Sequence, residues 1–276
     1  MNIRLILKIF LLLLIFSSQS VFAQYSVFNH FEKEKYVELY VAKSVLTDDV
    51  SEINAISNVG VLSSQFFCSS TYCFMAELPY SYVKYDYSSP FMNESDSEFI
   101  LGNPRLGMRK YFGENYQLDF SLVLPNVSSK DEFFAFYYGV LTRNDEYEMF
   151  FPELTSLSIV GLVRFFEDSI VKPYFKIGML GWKLDDFNDD TRYELLNKYV
   201  VGLDFSPNLF SIIAKIKGMT ILTESDLDFG ERNINSFVLA FKIKSKFQPG
   251  MYFIAPLDEL NDSVKYTIGV GIETTF

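Results

Sequence analysis

The stretch "YTIGVGIETTF", Tyr266 to Phe276, decides the reading of this chain. Tyr266, Ile268, Val270, Ile272 and Thr274 alternate with Thr267, Gly269, Gly271, Glu273 and Thr275. A period of two lays one apolar stripe along one face of a β-strand. Final residues of a domain are usually loose and polar, because nothing ties them down, yet this sequence stops on an aromatic. The pattern predicts a last strand that is held on both sides, and a last strand paired with a first one closes a barrel.

The rest of the composition fits that expectation. Hydrophobic residues make up 49% of the 276 and aromatics 17%, but beyond the first turns of sequence no apolar run approaches the ~20 residues of a membrane-spanning helix. So much apolar content without helical spans has to be spread over short alternating segments separated by turn residues. Twelve such segments can be read: Tyr36 to Lys43, Gly60 to Phe67, Phe74 to Tyr87, Arg105 to Phe112, Gln117 to Leu124 and Leu157 to Phe166, followed by Val171 to Leu180, Asn197 to Phe205, Leu209 to Lys217, Asn235 to Lys244, Met251 to Leu257 and Val264 to Phe276. The net charge of -11 excludes a nucleic-acid partner, whose phosphates require a basic face.

The connections fall into two classes. "CSSTYC", "GEN", "EDS", "SPN" and "SKFQPG" are tight, whereas "SVLTDDVSEINAISN", "SSPFMNESDSEFILGN", Pro125 to Ser156, "GWKLDDFNDDTRYELL", "MTILTESDLDFGERN" and "DELNDS" are longer and mostly acidic. Periodicity alone does not say which strand face points inward, and a soluble lipocalin-like barrel would invert the assignment. Strand length, two loop classes and the terminal Phe276 together favour a barrel that crosses a bilayer, with turns on one side and long loops on the other. The expected fold is all-β, a transmembrane antiparallel up-and-down barrel of about 12 strands, with 10 or 14 as alternatives. Residues 1–23 read as a secretory signal peptide, with Arg4 and Lys8 before "IFLLLLIF" and "VFA" before Gln24. Residues 24–35 follow as an N-terminal periplasmic segment and 36–276 as the barrel.

Two resemblances add to this. Tyr266, Ile268, Val270, Ile272 and Phe276 resemble the C-terminal signal by which bacterial outer-membrane barrels are handed to the barrel-assembly machinery; Thr274 departs from the pattern. "AELPYSYVKYD", Ala76 to Asp86, followed by "LGNPRLGMRKYF", Leu101 to Phe112, is similar to the barrels grouped as outer-membrane transporters of the phenol-degradation meta-pathway, with Asn103 and Pro104 where glycine and aspartate are often found. The resemblance implies outer-membrane lipid and the assembly machinery as partners, and transport as the role.

Parity then selects a lumen. Opposite the apolar sets Leu106/Met108, Leu118/Phe120/Leu122, Tyr199/Val201/Leu203, Phe210/Ile212/Ala214 and Phe237/Leu239/Phe241 stand Arg105, Arg109, Asp119, Lys198, Asp204, Lys215, Lys217, Lys242 and Lys244. Arg164, Lys172, Lys176, Glu77 and Glu273 join them by the same rule. One reading is a basic-walled passage for small anionic or polar solutes. The other is a charge network that fills a narrow, closed barrel, each base paired with an acid.

In the longest loop, Ser129 and Glu132 have capping-box spacing, and Phe133, Phe136, Tyr137 and Val140 recur at helical intervals, which predicts a short helix. A cap packed on neighbouring loops is expected there rather than a segment folded into the mouth. Catalysis is not expected: His30 is the sole histidine, so no base and acid can be assembled around it as hydrolases require. No metal or other cofactor is expected, since the sequence has no His/Cys cluster, and "DDFNDD" with "DLDFGE" resembles calcium loops only loosely, the latter lacking their regular spacing and terminal glutamate. Cys68 and Cys73 flank "SSTY" between two predicted strands and are candidates for a disulfide. A passive channel for small solutes is the leading functional expectation, and a closed structural barrel presenting acidic loops is its rival.

Overall fold

A computed structural model describes residues 35–47, 54–89, 92–127, 133–166, 168–185, 191–223, 233–258 and 263–276. The signal peptide, most of residues 24–35, His30 and the Ser129/Glu132 pair lie outside the described residues.

Among the described residues, thirteen strands form one antiparallel sheet: β1 Tyr36–Leu46, β2 Asn54–Phe66, β3 Tyr72–Ser89, β4 Met92–Leu101, β5 Arg105–Phe112, β6 Tyr116–Val123, β7 Leu154–Arg164, β8 Val171–Asp185, β9 Thr191–Phe205, β10 Phe210–Ile221, β11 Asn233–Ile243, β12 Phe247–Pro256 and β13 Val264–Thr275. β1 pairs with β2 on one side and with β13 on the other, so the sheet closes on itself. β5 takes the first half of β3, from Tyr72 to Glu77, and β4 takes the second, from Tyr80 to Ser89. β4 and β5 therefore share one place in the wall, and the ring has twelve places.

Each of the twelve expected strands is present, and several run further. β8 and β9 extend through most of "GWKLDDFNDDTRYELL" to Asp185 and from Thr191, and much of "SKFQPG" belongs to β12. β4 was read as acidic loop, and here the structure corrects the sequence. From Glu77 to Tyr80 β3 advances 80 − 77 = 3 residues, while the facing chain from Leu101 to Arg105 advances 105 − 101 = 4. The extra residue is a bulge at Gly102-Asn103-Pro104, which shifts the in-and-out phase by one. Ile100 points inward and Leu101 outward, then Arg105 and Arg109 point inward.

The outer face carries an apolar belt. Leu39, Leu62, Leu157, Ile177, Leu203, Ile216, Leu239 and Ile268 are exposed, and Val201 and Val270 reach 56% and 58%. A continuous ring of such residues is solvated by hydrocarbon rather than water, and the strands are long enough to cross it.

The inner face is mixed. Tyr40, Ala42, Val59, Val61, Val83, Val200, Ile213, Val238, Ala240 and Tyr252 join one buried apolar cluster with Val127, Ala135, Tyr138, Met149 and Phe150, which come from the loop after β6. That loop is inside the barrel. It contains α1, Phe133–Thr142, and a 3-10 segment, Asn144–Met149. The helix is where periodicity places it, but the segment is not a cap resting on other loops: apolar lumen side chains on β1, β2 and β3 give its aromatic face a better cover than solvated loops would.

Candidate functional site in the lumen

The bulge between β4 and β5 is the dock for the inward segment. Asn103 N–H donates to Met149 O at 2.6 Å. Its side-chain Nδ2 donates to Glu148 O at 2.9 Å and Phe151 O at 2.7 Å, while Oδ1 accepts from the backbone N–H of Asn126 at 2.7 Å and of Val127 at 2.9 Å. An amide has two donors and two lone pairs, and all four are used. One buried side chain thus grips the loop where it enters and where it leaves. Gly102 is required beside it, because a Cβ there would run into the Met149 carbonyl.

Further contacts hold the segment to the wall at several points. Glu98 on β4 accepts from Ala135 N–H at 2.8 Å in the first turn of α1 and from Tyr85 Oη at 3.3 Å, so a strand carboxylate satisfies one of the orphan donors of the helix. At the other end of α1, Ser44 Oγ donates to Thr142 Oγ1 at 3.1 Å, and the Arg143 guanidinium lies 5.0 Å over the Tyr40 ring and pairs with Glu146.

An ionic bridge crosses the lumen below. Arg105 Nη1 contacts Glu77 Oε2 at 2.9 Å and Glu146 Oε1 at 3.3 Å; Nη2 reaches Glu148 Oε1 at 3.0 Å. Lys198 Nζ on β9 reaches the same Glu148 oxygen at 2.7 Å. Lys198 is only 3% exposed. Burial alone would raise the Glu148 carboxyl, but Lys198 and then Arg105 outweigh it and hold the group below the usual carboxylate range.

The other inward residues fall into separate groups. Arg109, 2% exposed, makes a two-pronged pair with Asp119, through Nε to Oδ1 and Nη2 to Oδ2, both at 3.0 Å, and donates to Gln65 at 3.3 Å. Gln117 donates to both Asp119 oxygens. Lys242 pairs with Glu273 at 3.3 Å. Asp204 accepts from Ser211 at 2.8 Å, and Arg164 donates to Glu114 O at 3.4 Å, both near the tight-turn end. Lys176, Lys215 and Lys217 are buried on the inner face of β8 and β10. Lys172 is half-buried, and Lys244 stands exposed past the end of β11. Cys68 and Cys73 are bridged, with their Cα atoms 4.1 Å apart.

Sequence reasoning missed Asn103, Arg143, Glu146 and Glu148 as lumen residues. Parity cannot reach a residue that is not on a strand. The available signal was "DEYEMFF", acids interleaved with aromatic and apolar residues, which fits a solvated loop poorly.

Closure by twelve places, an outward apolar belt and a loop returned into the lumen define the class: a transmembrane β-barrel of the outer-membrane type. Among solved structures the chain is similar to an outer membrane channel from Pseudomonas putida F1, with a TM-score of 0.61 and 11% identity over 92% of this chain and 100% of that one. It is also similar to the NanC porin, with a TM-score of 0.50 and 5% identity over 88% of this chain and 99% of that one. Identities this low attach the fold. No family model matches the chain, and no curated protein matches it.

Proposed function

We propose that the chain is a gated channel of the bacterial outer membrane, exported by its N-terminal signal, inserted by the barrel-assembly machinery and embedded in outer-membrane lipid through its apolar belt. Small solutes pass when the segment between Asn126 and Phe151 leaves the lumen. One observation carries this reading: the lumen is occupied by a loop, held by hydrogen bonds and ion pairs as well as by apolar packing, and no strand pairing among the described residues includes a residue of it. Polar ties of this kind exchange with water at modest net cost once water can enter. The tight turns would face the periplasm and the acidic loops the outside.

The rival is a closed barrel that presents its loops to other surfaces. It is favoured by the burial of the described inward side chains, including every member of the Arg105 bridge. Planar-bilayer recording separates the two. Replacing the chain between Asn126 and Phe151 by a short Gly/Ser linker should produce steady conductance where the intact protein gives brief openings; silence of both proteins at all voltages and salts would leave only the structural reading.

A further inference from the structure

Glu148 is placed as a bound ligand would be. Its Oε1 receives Arg105 Nη2 at 3.0 Å and Lys198 Nζ at 2.7 Å, and those two cations belong to strands β5 and β9, four places apart on the ring. The wall brings two buried positive charges to one point, and the anion between them is supplied by the loop. Lys176 and Lys217 lie further along the same inner wall, each the cross-strand partner of Val200, one on either side of β9, two residues along from Lys198. Arg105 gives Glu148 one prong, Nη2, while Nη1 serves Glu77 of the wall and Glu146 of the loop, and the resident Glu148 shows that a carboxylate fits between Arg105 and Lys198.

We propose that Arg105 and Lys198 form a carboxylate-binding site of which Glu148 is the tethered occupant, and that a small organic carboxylate displaces Glu148 and with it the inward segment. The solute then opens its own path. The inference rests on the channel reading for the meaning of opening, but the binding site stands apart from it. A tethered competitor acts at an effective concentration in the millimolar range, so it weakens a free ligand by the ratio of that concentration to its own dissociation constant.

The test is calorimetric titration of succinate into the refolded full-length protein at fixed ionic strength, with inorganic phosphate as the comparison anion. Glu148→Gln should bind succinate at least about tenfold more tightly than wild type, and adding Lys198→Met should abolish that gain. Equal affinities in wild type and Glu148→Gln, or no saturable binding in the variant, overturn the proposal; phosphate binding as tightly as succinate overturns the carboxylate class. If Glu148→Gln does not fold, as judged by heat-modifiable mobility, the wild type decides the matter: succinate should bind saturably and bilayer conductance should rise saturably when succinate replaces chloride at equal ionic strength, and a protein that conducts in chloride but neither binds succinate nor responds to it refutes displacement. Because calorimetry needs no current, a protein that binds succinate but never conducts would refute the channel and leave the site in place.

Discussion

The wall of the barrel and the loop inside it are held by different physics. In the wall, each residue is fixed by backbone ladders to two neighbours and by one rule, apolar outward and the remainder inward, repeated around twelve places. In the loop, nothing repeats. Position comes from contacts between residues far apart in sequence: Asn103 with Phe151, Lys198 with Glu148, Ser44 with Thr142. The wall is therefore cooperative and intolerant of added volume, whereas the loop depends on a few side chains that can be removed one at a time.

That contrast breaks most sharply at glycines of the wall. A Cβ at Gly178 would meet the Ile159 carbonyl and the backbone of Val160, which cannot yield without parting β7 from β8. At Gly181, three residues along the same strand, an added Cβ has open space. Gly178→Val should lower the yield of heat-modifiable barrel by about tenfold or more, an effect expected from overpacking against backbone, while Gly181→Val should leave it unchanged. Equal yields from the two variants would show that the wall tolerates added volume even against backbone.

A smaller effect, confined to the loop, is expected from Asn103→Ala. The barrel should still form, but the groups that Asn103 satisfies lose their partners, at about 1 to 3 kcal/mol for each one left buried. Protease cleavage between Asn126 and Phe151 should accelerate and conductance should rise. Unchanged cleavage would mean that the apolar face of α1 alone holds the segment.

Acid gives the smallest effect and sharpens the comparison further. The folded-state pKa of Glu148 is depressed by Lys198 and Arg105, so its contribution to docking is complete above the ordinary carboxylate range and is lost as pH falls through the depressed value. Glu77 and Glu146 share Arg105 with it, and Arg143 pairs with Glu146. Channel openings should become more frequent only below about pH 4, with heat-modifiable mobility unchanged. Openings that increase between pH 8 and pH 6 would point to a different group.

The same difference explains what could be read in advance. Alternation located the twelve expected strands, because a half-lipid, half-lumen strand imprints its period on every residue. β4 escaped for two reasons: "NESDSE" has no apolar stripe, and the bulge at Gly102 to Pro104 shifts the phase on which a continuous reading depends. Helical spacing placed α1, but its destination was set by residues elsewhere, since Val59, Val61 and Val83 face inward and offer it a dry surface. Parity assigned the charges to the lumen, but it did not show that part of the lumen is itself an apolar core. Arg105 and Lys198 were legible as inward charges, but the acid that joins them was not, because it comes from no strand.

Asn103 has one more consequence. It holds the first and last residues of the inward segment in a single grip, so the length and content of what lies between are not fixed by the wall. Lengthening a loop whose ends are already pinned adds only slowly to its closure entropy. The bulge therefore works as a socket into which inserts of other lengths and chemistries could be exchanged, and the same twelve-place shell could be refitted by recombination, in nature or by design, with a different interior.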